Sequence, residues 1–361
     1  MINNSFTLID SIVICIKVPN REGEEARQFL IKTNNLNKSY KILKEGEYIF
    51  FPLNERIPDN QKWELVEKNL DTYSTKTDFY TSAKKMIPTS LHSFIPSSYD
   101  RIGDIILIKI VPELEEHSTN IGELLLTIHN VRSVFKKTSD VSTEYRTIQW
   151  ECIAGEDKSV TTHLMQGLRF RLNINEVYFN TRLNNEYIRV ANNTKPKNII
   201  IDMFCGIGPF SLVCASTMDI TVYACDINPK AIHYFQENIK LNKKKIIGSI
   251  ELVLGDIREK IGAFPKANII VMNLPAIAID FLESAIGKLE SKGIIYLHQF
   301  VKLRKEFIEE DLQIYENNLQ EKINYLCKSQ NFFKHNFIIK RNILRKVSPS
   351  KTHIVWDISF P

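Results

Sequence analysis

The chain holds 361 residues, 25% of them charged and 43% hydrophobic, with 13 glycines and 13 prolines. That length calls for two or three domains of about 100–200 residues each, and the composition excludes collagen-like, disordered and disulfide-scaffold chains. A formal charge of +5 permits nucleic-acid binding without demanding it, and no apolar run reaches the roughly 18–20 residues of a membrane span. The opening MINNSFTLIDSIVICIKV lacks a basic lead and carries Asp10 before its apolar stretch, so it does not read as a secretory signal. The cysteines (Cys15, Cys152, Cys205, Cys214, Cys225, Cys327) form no C-x-x-C pair, which fits a reducing compartment and argues against a thiolate zinc site. Eight histidines show no metal-ligand spacing. A soluble, cytoplasmic protein without a metal is expected.

In chain order, residues 12–17 (IVICIK) and 47–52 (EYIFFP) read as strands, with a helix from Glu22 to Leu30 that ends near Asn34 and Asn35. This small α/β unit closes in the turn-rich IPDNQ (57–61). Residues 60–100 are polar and helix-like in places, until Pro96, Ser97 and Ser98 mark a break. A second region opens with the strand GDIILIKI (103–110). It continues through a helix near 117–129 and strands at 131–135 and 147–154, an α+β pattern with no phosphate loop and no nucleophile arrangement.

From about residue 171 the pattern changes. NIIIDMF (198–204), TVYACD (221–226), IELVLGD (250–256), NIIVMNLP (268–275) and GIIYLHQF (293–300) are apolar strands with helical connections. NPKAIHYFQENIKLN (228–242) is an amphipathic helix with Ala231, Ile232, Phe235, Ile239 and Leu241 toward one side. Strand and helix in alternation predict a doubly wound, mostly parallel sheet. A closing hairpin, 337–343 with 353–359, adds antiparallel edge strands. Lys328, Lys334, Lys340, Arg341, Arg345, Lys346 and Lys351 precede Trp356 with no acid among them, and NFFKHNFI (331–338) interleaves rings with cations. That combination suits phosphates and stacked bases, and it equally suits a solvated edge strand. The Lys243–Lys245 run reads as a solvated helix end.

In such a sheet, ligands sit beyond the carboxyl ends of the strands. Gly206 and Gly208 follow the first strand, where the backbone must bend sharply and approach a ligand. Asp226 closes the second strand, placed to accept both ribose hydroxyls of an adenosine. Asp256 closes the third, placed to accept from the adenine amine, and Asn273 and Pro275 close the fourth. A dinucleotide fingerprint needs G-x-G-x-x-G/A, and Ser211 stands at its third position. It leaves the acid after the third strand and the N-L-P after the fourth unexplained. S-adenosylmethionine accounts for all four strand ends.

With these residues in place, the chain resembles the archaeal and eukaryotic tRNA (guanine-37-N1)-methyltransferases over nearly its whole length. CIKVPNREGEEARQFL and NNLNKSYKILKEGEYIFFPL resemble the family's small N-terminal domain, SYDRIGDIILIKI the opening of its middle domain, and STEYRTIQWECIAGE the later G-E-x-R…L-A-G-E stretch. NEVYFNTRLNNEYIRV, DMFCGIGPFS, ACDINPKAI, GDIRE, MNLPAIAIDFL and RNILRKVSPSKTHI follow in the family's order. The resemblance implies an N-terminal domain at 1–70 that touches the tRNA's outer corner. It implies a middle α+β domain at 71–170 that helps clamp the anticodon loop, and a Rossmann-like class I methyltransferase domain at 171–361. It further implies a monomer with tRNA carrying G37 as substrate, no membrane and no obligate protein partner.

Guanine N1 carries a proton at neutral pH, so a base must remove it while negative charge builds on O6. The resemblance assigns the base to Glu186 and O6 stabilisation to Arg146, one from each of the two larger domains. A positioned carboxylate contributes about 10²–10⁴-fold, and a guanidinium aimed at developing charge roughly another 2–4 kcal/mol. Asn273 and Pro275 would set the base plane, with Tyr178 and Arg182 lining the same pocket. Cofactor contacts are implied for Tyr187, Asp202, Phe204, Gly206, Asp226, Ile227, Asp256, Ile257 and Asn273. From the residues alone, Glu186 equally pairs with Arg182 or Arg189 along a helix, and Arg146 equally sits on an exposed strand edge. Tyr178 equally reads as core. The chain departs from the family pattern at Tyr187 (for Arg), Thr181 (for Pro) and Ala276 (for an aromatic or acidic neighbour). Rival readings are an aminocarboxypropyl transferase of the wybutosine pathway and a non-catalytic tRNA-binding protein.

Overall fold

The computed structural model describes residues 11–37, 39–57, 62–70, 79–139, 145, 147–329, 336–348 and 350–360. Arg146 lies outside the described residues, as do 58–61 of the IPDNQ turn and 331–335 of the aromatic and basic run. The chain divides into two compact units, Met1–Ile95 and Pro96–Pro361.

In the first unit, β1 (Ser11–Pro19) leads through α1 (Gly23–Lys32) to β2 (Leu43–Glu45), β3 (Tyr48–Pro52) and β4 (Glu64–Leu70), followed by α2 (Phe79–Met86). The sheet order is β2-β3-β1-β4, all antiparallel. Alternation along β1 sends Ile16 and Val18 to the face shared with Ala26 and Leu30 of α1, and Val13 and Cys15 to the face shared with Phe50 and Leu70. The polar stretch expected to be helix-like contains β4. Its apolar alternation is hidden by charges that pair across the sheet, Glu64 with Lys17 at 3.1 Å and Lys68 with Glu45.

The second unit opens with β5 (Asp100–Ile102) and β6 (Ile105–Ile108). α3 (Ser118–His129) then crosses over to β7 (Ser133–Lys137), parallel to β6, and β8 (Trp150–Gly155) completes the sheet β5-β6-β7-β8. A hairpin follows, β9 (Val160–Met165) with β10 (Leu168–Asn173). Its turn residues Gln166 and Gly167 both have positive φ, 51° and 72°, as a two-residue hairpin with the native twist requires.

Next come α4 (Asn184–Asn192), β11 (Ile199–Asp202), α5 (Pro209–Thr217), β12 (Thr221–Asp226), α6 (Pro229–Asn242), β13 (Ser249–Leu254), α7 (Ile257–Lys260), β14 (Ala267–Met272) and α8 (Leu282–Lys288). The chain ends with β15 (Leu289–Lys302), α9 (Ile308–Ser329), β16 (Ile338–Ser348) and β17 (Lys351–Ser359). The seven-stranded sheet has the order β13-β12-β11-β14-β15-β17-β16. Its first five strands are parallel and the last two antiparallel. Strand order reverses between β11 and β14, which opens a crevice beyond their carboxyl ends. Separate apolar clusters cover the two sheet faces, one holding Val222, Ile269 and Val355, the other Ile201, Ile270 and Trp356.

One expected core position is corrected. Leu241 is 43% exposed, while Asn238 and Asn242 of α6 are buried. Their side-chain amides bond the backbone of β10. Asn238 takes the Arg171 N–H at 2.7 Å and donates to its carbonyl, and Asn242 does the same for Arg169. Among the described residues β10 pairs with β9 alone, so its other edge needs partners, and polar side chains on the helix supply them.

Candidate active site

β11 ends at Asp202, and the loop to α5 carries Gly206 at φ +54° and Gly208 at φ +88°. A Cβ on Gly208 would lie 2.2 Å from the Phe235 ring, so only glycine fits. At Gly206 the nearest atom to such a Cβ is the Tyr178 carbonyl oxygen at 3.8 Å; there the turn and not the space demands glycine. The Gly206 amide donates to Asp226 Oδ2 at 2.7 Å and the Asn228 amide to Oδ1 at 2.9 Å. Burial raises the Asp226 carboxyl, and these backbone donors pull it back.

The loop, the ends of β12, β13 and β14, and the segment before α4 enclose a cavity of about 240 Å³, near the small end of ligand sites. Tyr178, Tyr187, Phe204, Gly206, Asp226, Ile227, Asp256, Ile257, Asn273 and Pro275 all line it. Tyr187 is buried, its hydroxyl donating to the Asn180 carbonyl at 3.0 Å and its ring edge-on to Phe210. Asp256 holds the Arg258 guanidinium, and that contact lowers its carboxyl. Phe204 meets Phe281 edge-on at 5.0 Å, and with Ile227 and Ile257 these rings give the cavity an apolar lining. The Phe300 amide donates to the Pro275 carbonyl at 2.9 Å and fixes the loop after β14.

Two expected residues lie behind the wall. Asp202 is 1% exposed, accepts from Ser211 Oγ at 2.7 Å, and leaves Oδ1 without a hydrogen-bond partner among the described residues; burial pushes its carboxyl up to about 7. Glu186, 3% exposed in the first turn of α4, takes a bidentate Arg189 guanidinium at 2.7 and 2.8 Å. Of the two helix partners considered for it, Arg189 is the one the structure uses. Arg182 pairs instead with Asp100 at 2.5 Å. Burial raises the Glu186 carboxyl against the pull of Arg189. Arg189 also grips Asp357 on β17 at 2.5 and 2.9 Å.

Tyr178 is 46% exposed at the rim, not in the core. Together with Phe179, Asn180 and Arg345 it borders a second groove, lined also by Tyr99, Lys109, Lys137, Trp150, Thr181 and Arg182. Arg345, His353, Asn180 and Phe300 line the first cavity without having been expected there. The signal for Arg345 was available in the acid-free basic run. His353 had none, because its place depends on which strand the last hairpin joins.

The profile described as the TRM5/TYW2 methyltransferase domain matches residues 161–332, that of the TYW2 N-terminal domain 81–158, and that of the tRNA methyltransferase 5 N-terminal domain 15–61. The tRNA (guanine(37)-N(1))-methyltransferase Trm5b of Pyrococcus abyssi is 38% identical over 290 residues, 80% of this chain and 84% of that protein. The chain belongs to this family of tRNA methyltransferases. The crystal structure of P. abyssi Trm5b superposes with a TM-score of 0.69 at 34% identity, covering 96% of this chain and 99% of that one. A complex of aTrm5 with tRNALeu matches at a TM-score of 0.65 and 31% identity, over 96% and 100% of the chains. Methanocaldococcus jannaschii Trm5 in complex with adenosine gives 0.62 and 30%, over 96% and 99%. Members of the family share the class I methyltransferase fold seen here.

Proposed function

We propose that the chain is an S-adenosylmethionine-dependent methyltransferase that methylates N1 of guanosine 37 in tRNA. The observation that carries the reading is the strand-end cradle of Gly206, Gly208, Asp226 and Asn273-Leu274-Pro275 in a chain so similar to Trm5b over most of both lengths. The cradle fits the cofactor. Each Asp226 oxygen holds one backbone N–H and keeps lone-pair capacity for a ribose hydroxyl, and Phe204, Ile227 and Ile257 offer apolar surface to a purine. When bound, the cofactor supplies an electrophilic methyl group.

The remaining work falls to the chain's own side chains. Asn273 and Pro275 hold the guanine edge beside the cofactor site, which mainly asks for positioning. Arg146 holds the charge that develops on O6, and Glu186 receives the N1 proton. Because that carboxylate lies behind the cavity wall, the proton crosses the wall to reach it. Tyr178, Arg182, Arg345, Lys109 and Lys137 on the adjoining groove provide rings and cations for the anticodon loop. The division at 1–70, 71–170 and 171–361, with the first part on the tRNA's outer corner, belongs to the same reading, as do a monomeric state and a cytoplasmic location.

The test is methyl transfer from labelled S-adenosylmethionine to unmodified tRNA transcripts with G37 or A37. Label recovered as 1-methylguanosine only from the G37 transcript is the expected result. Label delivered from the methionine carboxyl carbon instead of the methyl group marks an aminocarboxypropyl transferase. No label despite cofactor binding refutes the enzyme reading.

A further inference from the structure

β15 and β17 run antiparallel with Phe300 opposite His353, His298 opposite Val355 and Tyr296 opposite Asp357. Directly opposed residues share a sheet face and residues two apart repeat it, so His298, His353 and Asp357 all face α4. His298 Nδ1 lies 3.1 Å from His353 Nε2. His298 Nε2 lies 3.9 Å from Glu186 Oε1 and has no hydrogen-bond partner among the described residues, although the ring is wholly buried. At the other end, the His353 ring lies against Phe300 at 5.1 Å and in the wall of the cavity, beside Arg345.

The groups facing His298 are Glu186 and Arg189 from α4, His353 and Asp357 from β17, Tyr296 from its own strand and the Phe210 ring from α5. Burial, His353 and Arg189 together keep His298 neutral. A buried imidazole nitrogen with no partner costs free energy that an apolar side chain would avoid. The pair forms a file of proton-carrying atoms between the cavity and the buried carboxylate.

We propose that His353 and His298 form the relay through which Glu186 takes the N1 proton of the target guanine. The proposal rests on the reading of Glu186 as the base. The N1–H bond of guanine breaks and an N–H bond forms at His353 Nδ1. The His353 Nε2–H bond breaks as His298 Nδ1–H forms, and the His298 Nε2–H bond breaks as Glu186 Oε1–H forms. Both rings stay neutral, the carboxylate becomes a carboxylic acid, and the N1 electron pair is freed to take the methyl group. After product release the same three hops in reverse return the proton to water in the emptied cavity and restore both tautomers. The one slack contact, 3.9 Å, needs to close by about 1 Å to reach hydrogen-bond distance, and such tightening on substrate binding is common in catalytic sites.

The experiment uses the full chain with Glu186→Gln, His298→Phe, His298→Gln, His353→Gly and the double variant Glu186→Gln/His298→Phe. It reads single-turnover methylation of G37 transcript, S-adenosylmethionine affinity and, in the wild type, nitrogen-15 NMR of the histidine tautomers. Expected are losses of about 100-fold in rate for Glu186→Gln, His298→Phe and His353→Gly. The double variant is no slower than either of its singles, and cofactor affinity stays within about threefold. Added imidazole restores part of the His353→Gly rate, and NMR places the proton on Nε2 of both rings. The relay is refuted if His298→Phe and His353→Gly both methylate within about threefold of wild type while Glu186→Gln is inactive, since the carboxylate then reaches N1 directly. Protons found on Nδ1 of both rings also refute it. Should His298→Phe fail to fold, His298→Gln, His353→Gly and the wild-type NMR still decide. A wild type that leaves G37 unmethylated overturns the function itself and not the relay alone.

Discussion

Arg189→Met tests the buried charge cluster that joins α4 to β17. The guanidinium makes four hydrogen bonds of 2.5 to 2.9 Å, two to Glu186 and two to Asp357, whose residues are 3% and 7% exposed. Methionine retains much of the aliphatic bulk that Arg189 places over the Tyr296 ring, so the loss is electrostatic. Breaking a buried pair costs about 3–5 kcal/mol, mainly because the surviving charge is stranded. Here two carboxylates are stranded together, which puts the variant near the upper end at pH values where both are ionised. For a unit of this size that corresponds to a fall in Tm of about 10–20 °C.

The deficit also depends on pH. Burial already raises the Glu186 carboxyl, with Asp357 adding to the rise and Arg189 opposing it, so the variant raises it further. A carboxyl whose folded pKa lies above its unfolded value stabilises fully below the unfolded value and loses that contribution as pH rises through the folded one. The variant is therefore weakest at about pH 8 and recovers toward wild type as pH falls to about 5. Urea unfolding at both pH values, followed by tryptophan fluorescence, measures it. A deficit under about 1 kcal/mol, or one equal at both pH values, refutes the description of this cluster as a buried network.

The two glycines of the β11 loop should separate. Gly208→Ala drives a methyl group into the Phe235 ring at φ +88° and is expected to cost about 2–4 kcal/mol, read as a lower urea midpoint. Gly206→Ala meets open space but keeps a left-handed φ of +54°, and is expected to cost about 1–2 kcal/mol, less than Gly208→Ala. On the proposed reading Asp226 accepts from two ribose hydroxyls, so for Asp226→Ala calorimetry should find S-adenosylmethionine bound about 10–100-fold more weakly; unchanged affinity would remove Asp226 from the cofactor site. Asp202, raised to about 7 by burial, gives stability that is full below about pH 4 and falls as pH rises to about 7. Asp202→Asn should flatten the unfolding free energy across that window, and an unchanged slope would exclude Asp202 as its source.

The parallel half of the large sheet could be read from the chain because each of its strands is a short apolar run followed by a loop with a chemical signature, as NIIIDMF is by CGIGPF. Two features resisted. The β9-β10 hairpin turns at Gln166-Gly167, which lacks the Asn or Asp that usually announces such a turn. Helix α6 buries Asn238 and Asn242 where periodicity alone favours Leu241, since the demand they meet comes from the bare edge of β10. In both cases the deciding partner is a strand whose position helical or strand periodicity does not reveal.

The candidate site divides along the same line. Residues at strand ends, Gly206, Asp226, Asp256 and Asn273, reach the cavity because chain order dictates where parallel strands end. Glu186 does not, because its orientation is set by Arg189 and by Asp357, which lies 171 residues further along the chain. That partner exists only because β17 inserts between β15 and β16. The inserted antiparallel strand thereby delivers His353 to the cavity wall and Asp357 to the buried cluster, two strand positions of one face four residues apart. A substitution in β17 that preserves its strand but shifts its register by one residue would turn both side chains to the opposite face. The ends of β11, β12 and β13 that line the cavity would remain, so on the proposed reading such a chain binds S-adenosylmethionine and loses the proposed path from the cavity to Glu186. On the proposed reading, register in this hairpin, more than any single strand-end residue, couples the cavity to Glu186.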